Sequence, residues 1–102
     1  MKKVIANREI DVNEEGYLVE FTQWDREVCE CIAGECNVVL TERHYEVIEY
    51  LQDKHKNEEP LSIRGIKKSG VVDIKEFYKL FPGGPLKVST KIAGIPKPKS
   101  CI

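Results

Sequence analysis

Thr41-Glu42-Arg43-His44-Tyr45-Glu46-Val47-Ile48-Glu49-Tyr50-Leu51-Gln52-Asp53-Lys54-His55-Lys56 is the stretch on which the fold is read. His44, Val47, Ile48, Leu51 and His55 fall at i, i+3, i+4, i+7 and i+11, one face of an α-helix. Thr41 stands where an N-cap is needed, so the spacing predicts a helix over about Glu42 to Lys56. Upstream, Val28, Cys29, Ile32, Ala33 and Cys36 repeat the helical period over about Asp25 to Cys36. Downstream, Pro60 suits the first position of a third helix running to about Lys68, with Ser69-Gly70 ending it. Asp73 and Glu76 form a capping-box-like start, and Ile74, Phe77, Tyr78 and Phe81 line a fourth helix. Pro82-Gly83-Gly84-Pro85 breaks the chain before a last amphipathic piece, about Leu86 to Ala93.

The N-terminal part obeys a different period. Val4 to Val12 holds two short β-compatible runs around a polar turn and reads as a hairpin. Asn13-Glu14-Glu15-Gly16 is a turn, and Tyr17-Leu18-Val19 a short extended piece. The acidic residues from Asp11 to Glu15 are explained by a solvated turn. The expected class is α+β, mostly α: a small helical domain with an N-terminal β-hairpin.

At 102 residues, with 41% apolar side chains, one domain with one modest core is expected. No segment approaches the roughly 18–20 apolar residues of a membrane span. The Met1-to-Arg8 start has no apolar run behind it, so a cytoplasmic location is expected. A net charge of −1 exerts no global pull toward nucleic acid or membrane. It hides an asymmetry: Lys87, Lys91, Lys97 and Lys99 come after Leu86 with no acidic side chain among them. Such a basic segment suits an acidic groove on a partner, or simply solubility.

That segment ends Lys91-Ile92-Ala93-Gly94-Ile95-Pro96-Lys97-Pro98-Lys99-Ser100-Cys101-Ile102. Gly94 is a helix stop, and Pro96 and Pro98 hold the backbone beyond it in extended geometry. Residues 1–93 are therefore expected to form the folded domain and 94–102 a mobile arm carrying Cys101. From Gly94 to Cys101 the arm spans roughly 20–25 Å when extended. A thiol on a reaching arm suggests delivery of sulfur into another protein's site. A frayed terminus with an incidental cysteine is the plainer alternative.

Four cysteines in a cytosolic chain should be reduced thiols. Cys29, Cys31 and Cys36 are spaced C-x-C-x4-C, which is not a zinc-finger pattern. On a helix Cys29 and Cys31 point about 200° apart and cannot share an ion. Cys29 and Cys36 are expected as small core hydrophobes, and Cys31, off the stripe, as an inert surface thiol, with an oxidation site the lesser alternative. No metal and no cofactor site is expected. His44 and His55 lack a carboxylate pattern that would make either a catalytic base; hydrogen bonds to backbone are the commoner role. The third and fourth helices have helix-turn-helix lengths, with Arg64, Lys67, Lys68, Lys75 and Lys79 nearby. Glu58, Glu59, Asp73 and Glu76 dilute that patch, so direct nucleic-acid binding is not expected.

The Lys91-to-Ile102 arm closely resembles that of the DsrC/TusE family, the gamma subunits of dissimilatory sulfite reductase and related sulfur-relay proteins. Glu14-Glu15-Gly16-Tyr17-Leu18, Trp24-Asp25, Leu40-Thr41-Glu42-Arg43-His44-Tyr45 and Leu80-Phe81-Pro82-Gly83-Gly84-Pro85 resemble family segments in the same order. The resemblance covers nearly the whole chain and implies a small orthogonal helical bundle, a β-hairpin and a mobile C-terminal arm. One departure stands out. Sulfite-reductase-linked members carry two arm cysteines, and the upstream one corresponds here to Thr90. A hydroxyl cannot close a disulfide or trisulfide, so this arm lacks the two-thiol cycle.

Single-cysteine members resemble the sulfur-relay branch. The resemblance then implies a stoichiometric carrier rather than a stand-alone oxidoreductase. Cys101 accepts a persulfide sulfur and hands it on, with Lys91, Gly94, Pro96, Lys97, Pro98 and Lys99 shaping and docking the arm. Its partners would be an upstream sulfur-donor protein and a downstream acceptor, either a tRNA-thiolating enzyme or a sulfite-reductase-type complex. Two alternatives stand beside it. One is a gamma-subunit-like protein that binds sulfite reductase without the two-cysteine chemistry, or that pairs Cys101 with Cys31 or another core cysteine. The other is a helix-turn-helix-like DNA-binding regulator.

Overall fold

The computed structural model describes residues 1–97. An antiparallel hairpin comes first, β1 (Lys2–Ile5) and β2 (Arg8–Asp11), in a register that pairs Lys2 with Asp11 and Ile5 with Arg8. The two-residue turn holds Ala6 at φ 54° and Asn7 at φ 62°. Such primed turns match the twist of a hairpin. Ile5 and Ile10 turn their side chains into the core. Beyond the strands, Val12 and Leu18 form an isolated antiparallel bridge. The Asn13 side chain closes the loop between them by accepting from the Glu15 and Tyr17 amides.

A single 3-10 turn, Phe21–Gln23, leads into five helices: α1 (Arg26–Glu35), α2 (Glu42–Lys56), α3 (Ile63–Ser69), α4 (Ile74–Leu80) and α5 (Pro85–Ile92). Asp25 caps α1 by accepting from the Val28 amide at 3.0 Å. The third helix does not begin at Pro60. Ser62 is its N-cap, accepting from the Gly65 amide, and Pro60 stays in the preceding loop. A serine hydroxyl satisfies an orphan N–H, whereas proline at the first position merely avoids having one. Asp73 caps α4 through the Glu76 amide, as its position predicts. The Glu76 carboxylate is instead taken by Arg43 of α2, through bonds of 2.9 and 2.8 Å.

The core is one cluster, with Phe77, Phe81, Leu86, Ile92 and Ile95 among its fully buried side chains. Helix α5 packs against α1, α2 and α4. His44 joins the layers. Its Nδ1 accepts from the Thr41 amide at 3.1 Å, and its Nε2 lies 2.8 Å from the Leu80 carbonyl, to which it donates. The ring also meets Phe81 edge-on, centroids 5.1 Å apart. The histidine thus serves as a buried cap, as expected from its place on the apolar face. His44→Ala should cost roughly 2–3 kcal/mol, because it leaves the Thr41 amide and the Leu80 carbonyl unpaired. A urea midpoint unchanged from the parent protein would contradict that role.

Candidate functional site

The last helix ends in a tightly specified stop. Gly94 takes φ +74°, and its amide donates to the Lys91 carbonyl while the Ile95 amide donates to the Thr90 carbonyl. This pair of bonds, with an apolar residue after the glycine, is the Schellman arrangement. Ile95 is accordingly buried, at 1% exposure. Gly94 and Ile95 are therefore built into the body, and the chain first reaches the surface at Pro96. From Pro96 to Cys101 an extended chain covers about 17 Å, less than a count from Gly94 suggests.

Side chains from distant segments fix this end of α5. Trp24 donates its indole N–H to the Ile92 carbonyl at 2.8 Å, and Gln52 donates its amide to the Ala93 carbonyl at 2.9 Å. At the other end of α5, Tyr17 donates its hydroxyl to the Lys87 carbonyl of the first turn at 3.0 Å. The carbonyls at Ile92 and Ala93 are ones that a helix end must satisfy somehow. Trp24 also lies against Gly94, where an added Cβ would collide with the indole Cδ1. Glycine is thus required twice, for its backbone angle and for the approach of the ring.

Beyond Gly94, Pro96 sits beside His55, Glu59, Pro60 and Leu61 in a shallow depression. His55 meets Phe21 edge-on rather than any carboxylate. Lys97 pairs with Glu15 at 2.8 Å, reaching back 82 residues. The Glu15 carboxyl is held below its ordinary value, chiefly by the bond from Lys97, with Lys87 and Lys91 adding to the effect. Glu15 is therefore not merely a solvated turn residue. A depressed carboxylate contributes above its ordinary pKa and loses that contribution as pH falls through the lowered value. Lys91 stands 5.9 Å from the Tyr17 ring centroid. Pro98, Lys99 and Cys101 lie outside the described residues.

Thr90, which the resemblance sets at the place of an upstream arm cysteine, is fully buried. Its hydroxyl donates to the Leu86 carbonyl at 2.7 Å, within its own helix. The remaining cysteines occupy three environments. Cys29 is buried in the core, where burial, helped by Glu30, pushes its thiol up to about 12. Cys31 is exposed, and Cys36 is half-buried at the C-terminal end of α1. Burial raises the Cys36 thiol as well, against the pull of Lys91. Among the described residues, no three His, Cys, Asp or Glu side chains converge as a metal site. The basic groove between α3 and α4 is lined by Lys67, Lys75 and Arg43, but Arg43 is clamped between Glu76 and Glu46.

A family model described as "DsrC like protein" matches residues 4–102. The chain belongs to the DsrC-like family. The sulfurtransferase TusE of Photorhabdus laumondii is 36% identical over 108 residues, covering 97% of this chain and 96% of that relative. Among solved structures, a crystal structure described as dissimilatory sulfite reductase I (DsrI) superposes with a TM-score of 0.85 at 32% identity, each chain fully covered. The oxidised gamma subunit of dissimilatory sulfite reductase (DsrC) from Archaeoglobus fulgidus gives 0.79 at 30% identity, again over both whole chains. The mostly helical fold with one N-terminal hairpin is that of the DsrC structures. No helix among the described residues is long and apolar enough to cross a membrane.

This geometry has consequences for stability and for thiol reactivity. Gly94→Ala should destabilise the protein by roughly 2–4 kcal/mol, since it adds a left-handed penalty to a collision with Trp24. Denaturant unfolding measures it, and a loss below the error of the midpoint would contradict the packing. In native alkylation, of Cys29, Cys31 and Cys36, Cys31 should be modified first and Cys29 last, because only the thiolate reacts and Cys29 is buried and protonated. Peptide mapping over time reads the order; equal rates at Cys29 and Cys31 would overturn it.

Proposed function

We propose that this DsrC-like protein carries sulfur as a persulfide on Cys101 and passes it to a partner, in the direction of tRNA thiolation. Family membership and the TusE sulfurtransferase relatives support the sulfur-carrier role. The observation that carries the single-thiol form is Thr90. A fully buried hydroxyl committed to its own helix leaves no sulfur at the second family position. The anchored end of α5 supports an arm launched from a fixed point, with Lys91, Gly94, Pro96, Lys97, Pro98 and Lys99 setting its course. A chain restricted by glycine-capped and proline-bound segments loses less entropy when it docks. The protein acts stoichiometrically in the cytoplasm, between an upstream sulfur donor and a downstream acceptor, without turning over alone.

A docking role on a sulfite-reductase-type complex is the second reading, favoured by the likeness to DsrI and to the Archaeoglobus gamma subunit. The two separate cleanly. After incubation with a cysteine desulfurase, cysteine and a relay donor, intact mass should rise by about 32 Da, one sulfur added to a thiol, and map to Cys101. Cys101→Ser should lose that gain, while changes at Cys29 and Cys31 should keep it. Loading that persists in Cys101→Ser sinks the carrier reading. Co-purification with a sulfite-reductase-type complex that is indifferent to Cys101→Ser would favour docking.

A further inference from the structure

Three lysines converge on one carboxylate at the end of the described chain. Lys97 is bonded to Glu15 at 2.8 Å. Glu15 in turn lines a cavity of about 200 Å³ together with Tyr17, Cys36, Lys87 and Lys91. Lys87 and Lys91 stand one turn apart on α5, and the Lys91 side chain lies over Gly16 in the loop that carries Glu15. Among the described residues neither Lys87 nor Lys91 forms an ion pair, so Glu15 offsets one of the three positive charges. The other surface beside Pro96, lined by His55, Pro60 and Leu61, has no such excess, and Glu59 there is paired with Lys54. Cys101 follows Lys97 by four residues, so its Cα lies within about 14 Å of that of Lys97, whichever way the chain runs. A protein that takes sulfur from Cys101 must therefore lie against the body near Lys97. A standard interface covers about 800 Å² on each partner, wide enough to include the lysine cluster.

We propose that the loop of residues 13–17 and the Lys87 and Lys91 side of α5 form the docking face for a relay partner, and that the partner meets it with an acidic protein surface. The assignment rests on the carrier reading of Cys101. Carboxylates on the partner complete the neutralisation that Glu15 only begins. Charge placed in this way steers the encounter and fixes the orientation of the two bodies more than it adds affinity. Once the bodies are docked, the short link to Cys101 makes the sulfur hand-over effectively intramolecular. RNA fits the face less well. Its bases need rings on which to stack, and the Tyr17 ring is buried at 3% exposure.

Backbone amide NMR on the full chain reads the face without any sulfur transfer. The probe is hexaglutamate at low salt, compared with a single-stranded RNA heptamer of equal phosphate charge. Hexaglutamate should shift the amides of Glu15, Gly16, Tyr17, Lys87 and Lys91, and added salt should reverse the shifts. Lys87→Gln with Lys91→Gln should weaken its binding by about fivefold to tenfold, the scale of two exposed charge pairs. Lys87→Gln alone, at an exposed site that Lys91 packing does not touch, should weaken it by about twofold to threefold. Glu15→Gln should tighten it, because the competing carboxylate is gone. Lys67→Gln with Lys68→Gln, the same charge change on α3, should leave it within about twofold of the parent. Shifts centred on α3 and α4, or equal losses in the two double variants, overturn the proposal. So does an RNA heptamer that binds this face more tightly than hexaglutamate. A chain whose Cys101 never loads with sulfur sinks the carrier reading, while the mapping by itself still supports or defeats the acidic-partner face.

Discussion

The contact between Trp24 and Gly94 is the constraint on which the rest of the site depends. The indole closes over the one residue of the α5 terminus with no side chain, and its N–H takes the Ile92 carbonyl. Gln52 of α2 takes the next carbonyl. Two hydrogen bonds of this kind contribute only about 1 kcal/mol each in net stability, yet leaving either carbonyl unpaired costs more. The chain after Gly94 is thereby aimed. Ile95 goes into the core, Pro96 emerges beside His55, and Lys97 turns to Glu15.

A similar double use of one side chain recurs where the helices meet. His44 caps its own helix with one nitrogen and ties the end of α4 with the other. Arg43, one residue earlier, clasps Glu76 at the start of α4. Short helices such as α3 and α4 are marginal alone and take their stability from packing and from such caps. The clasp also withdraws Arg43 from the basic groove, leaving that surface less suited to phosphate than its lysine and arginine content suggests.

Legibility in the sequence varies with the range of the interaction. The boundaries of α2 are readable because its apolar face and its threonine cap are local signals. The start of α3 is not, because Pro60 and Ser62 are both acceptable openings, and only the geometry of the Ser62 hydroxyl selects between them. Cys29 and Cys31 fall on opposite sides of α1 as expected, since helical period alone separates them. Glu15 reads as a plain turn residue because its partner is 82 residues away, and nothing in the intervening sequence marks the pair. Gln52 carries no signal at all, as a glutamine on a helix rich in charged residues has no reason to be singled out.

Membership in the DsrC-like family can be read from the order of short segments, and Thr90 can be seen to lack a thiol, because both are facts about residue identity. The helical periods, the glycine stop and the proline-bound tail likewise come from local steric and hydrogen-bonding preferences that act over a few residues. What only the tertiary structure decided is where these features meet. It put Trp24 on Gly94, Lys97 on Glu15, and Cys36 in one cavity with Lys87 and Lys91. Those neighbours are set by how helices and loops pack when the chain returns on itself, and packing depends on shape complementarity across the whole core rather than on any segment's own preference.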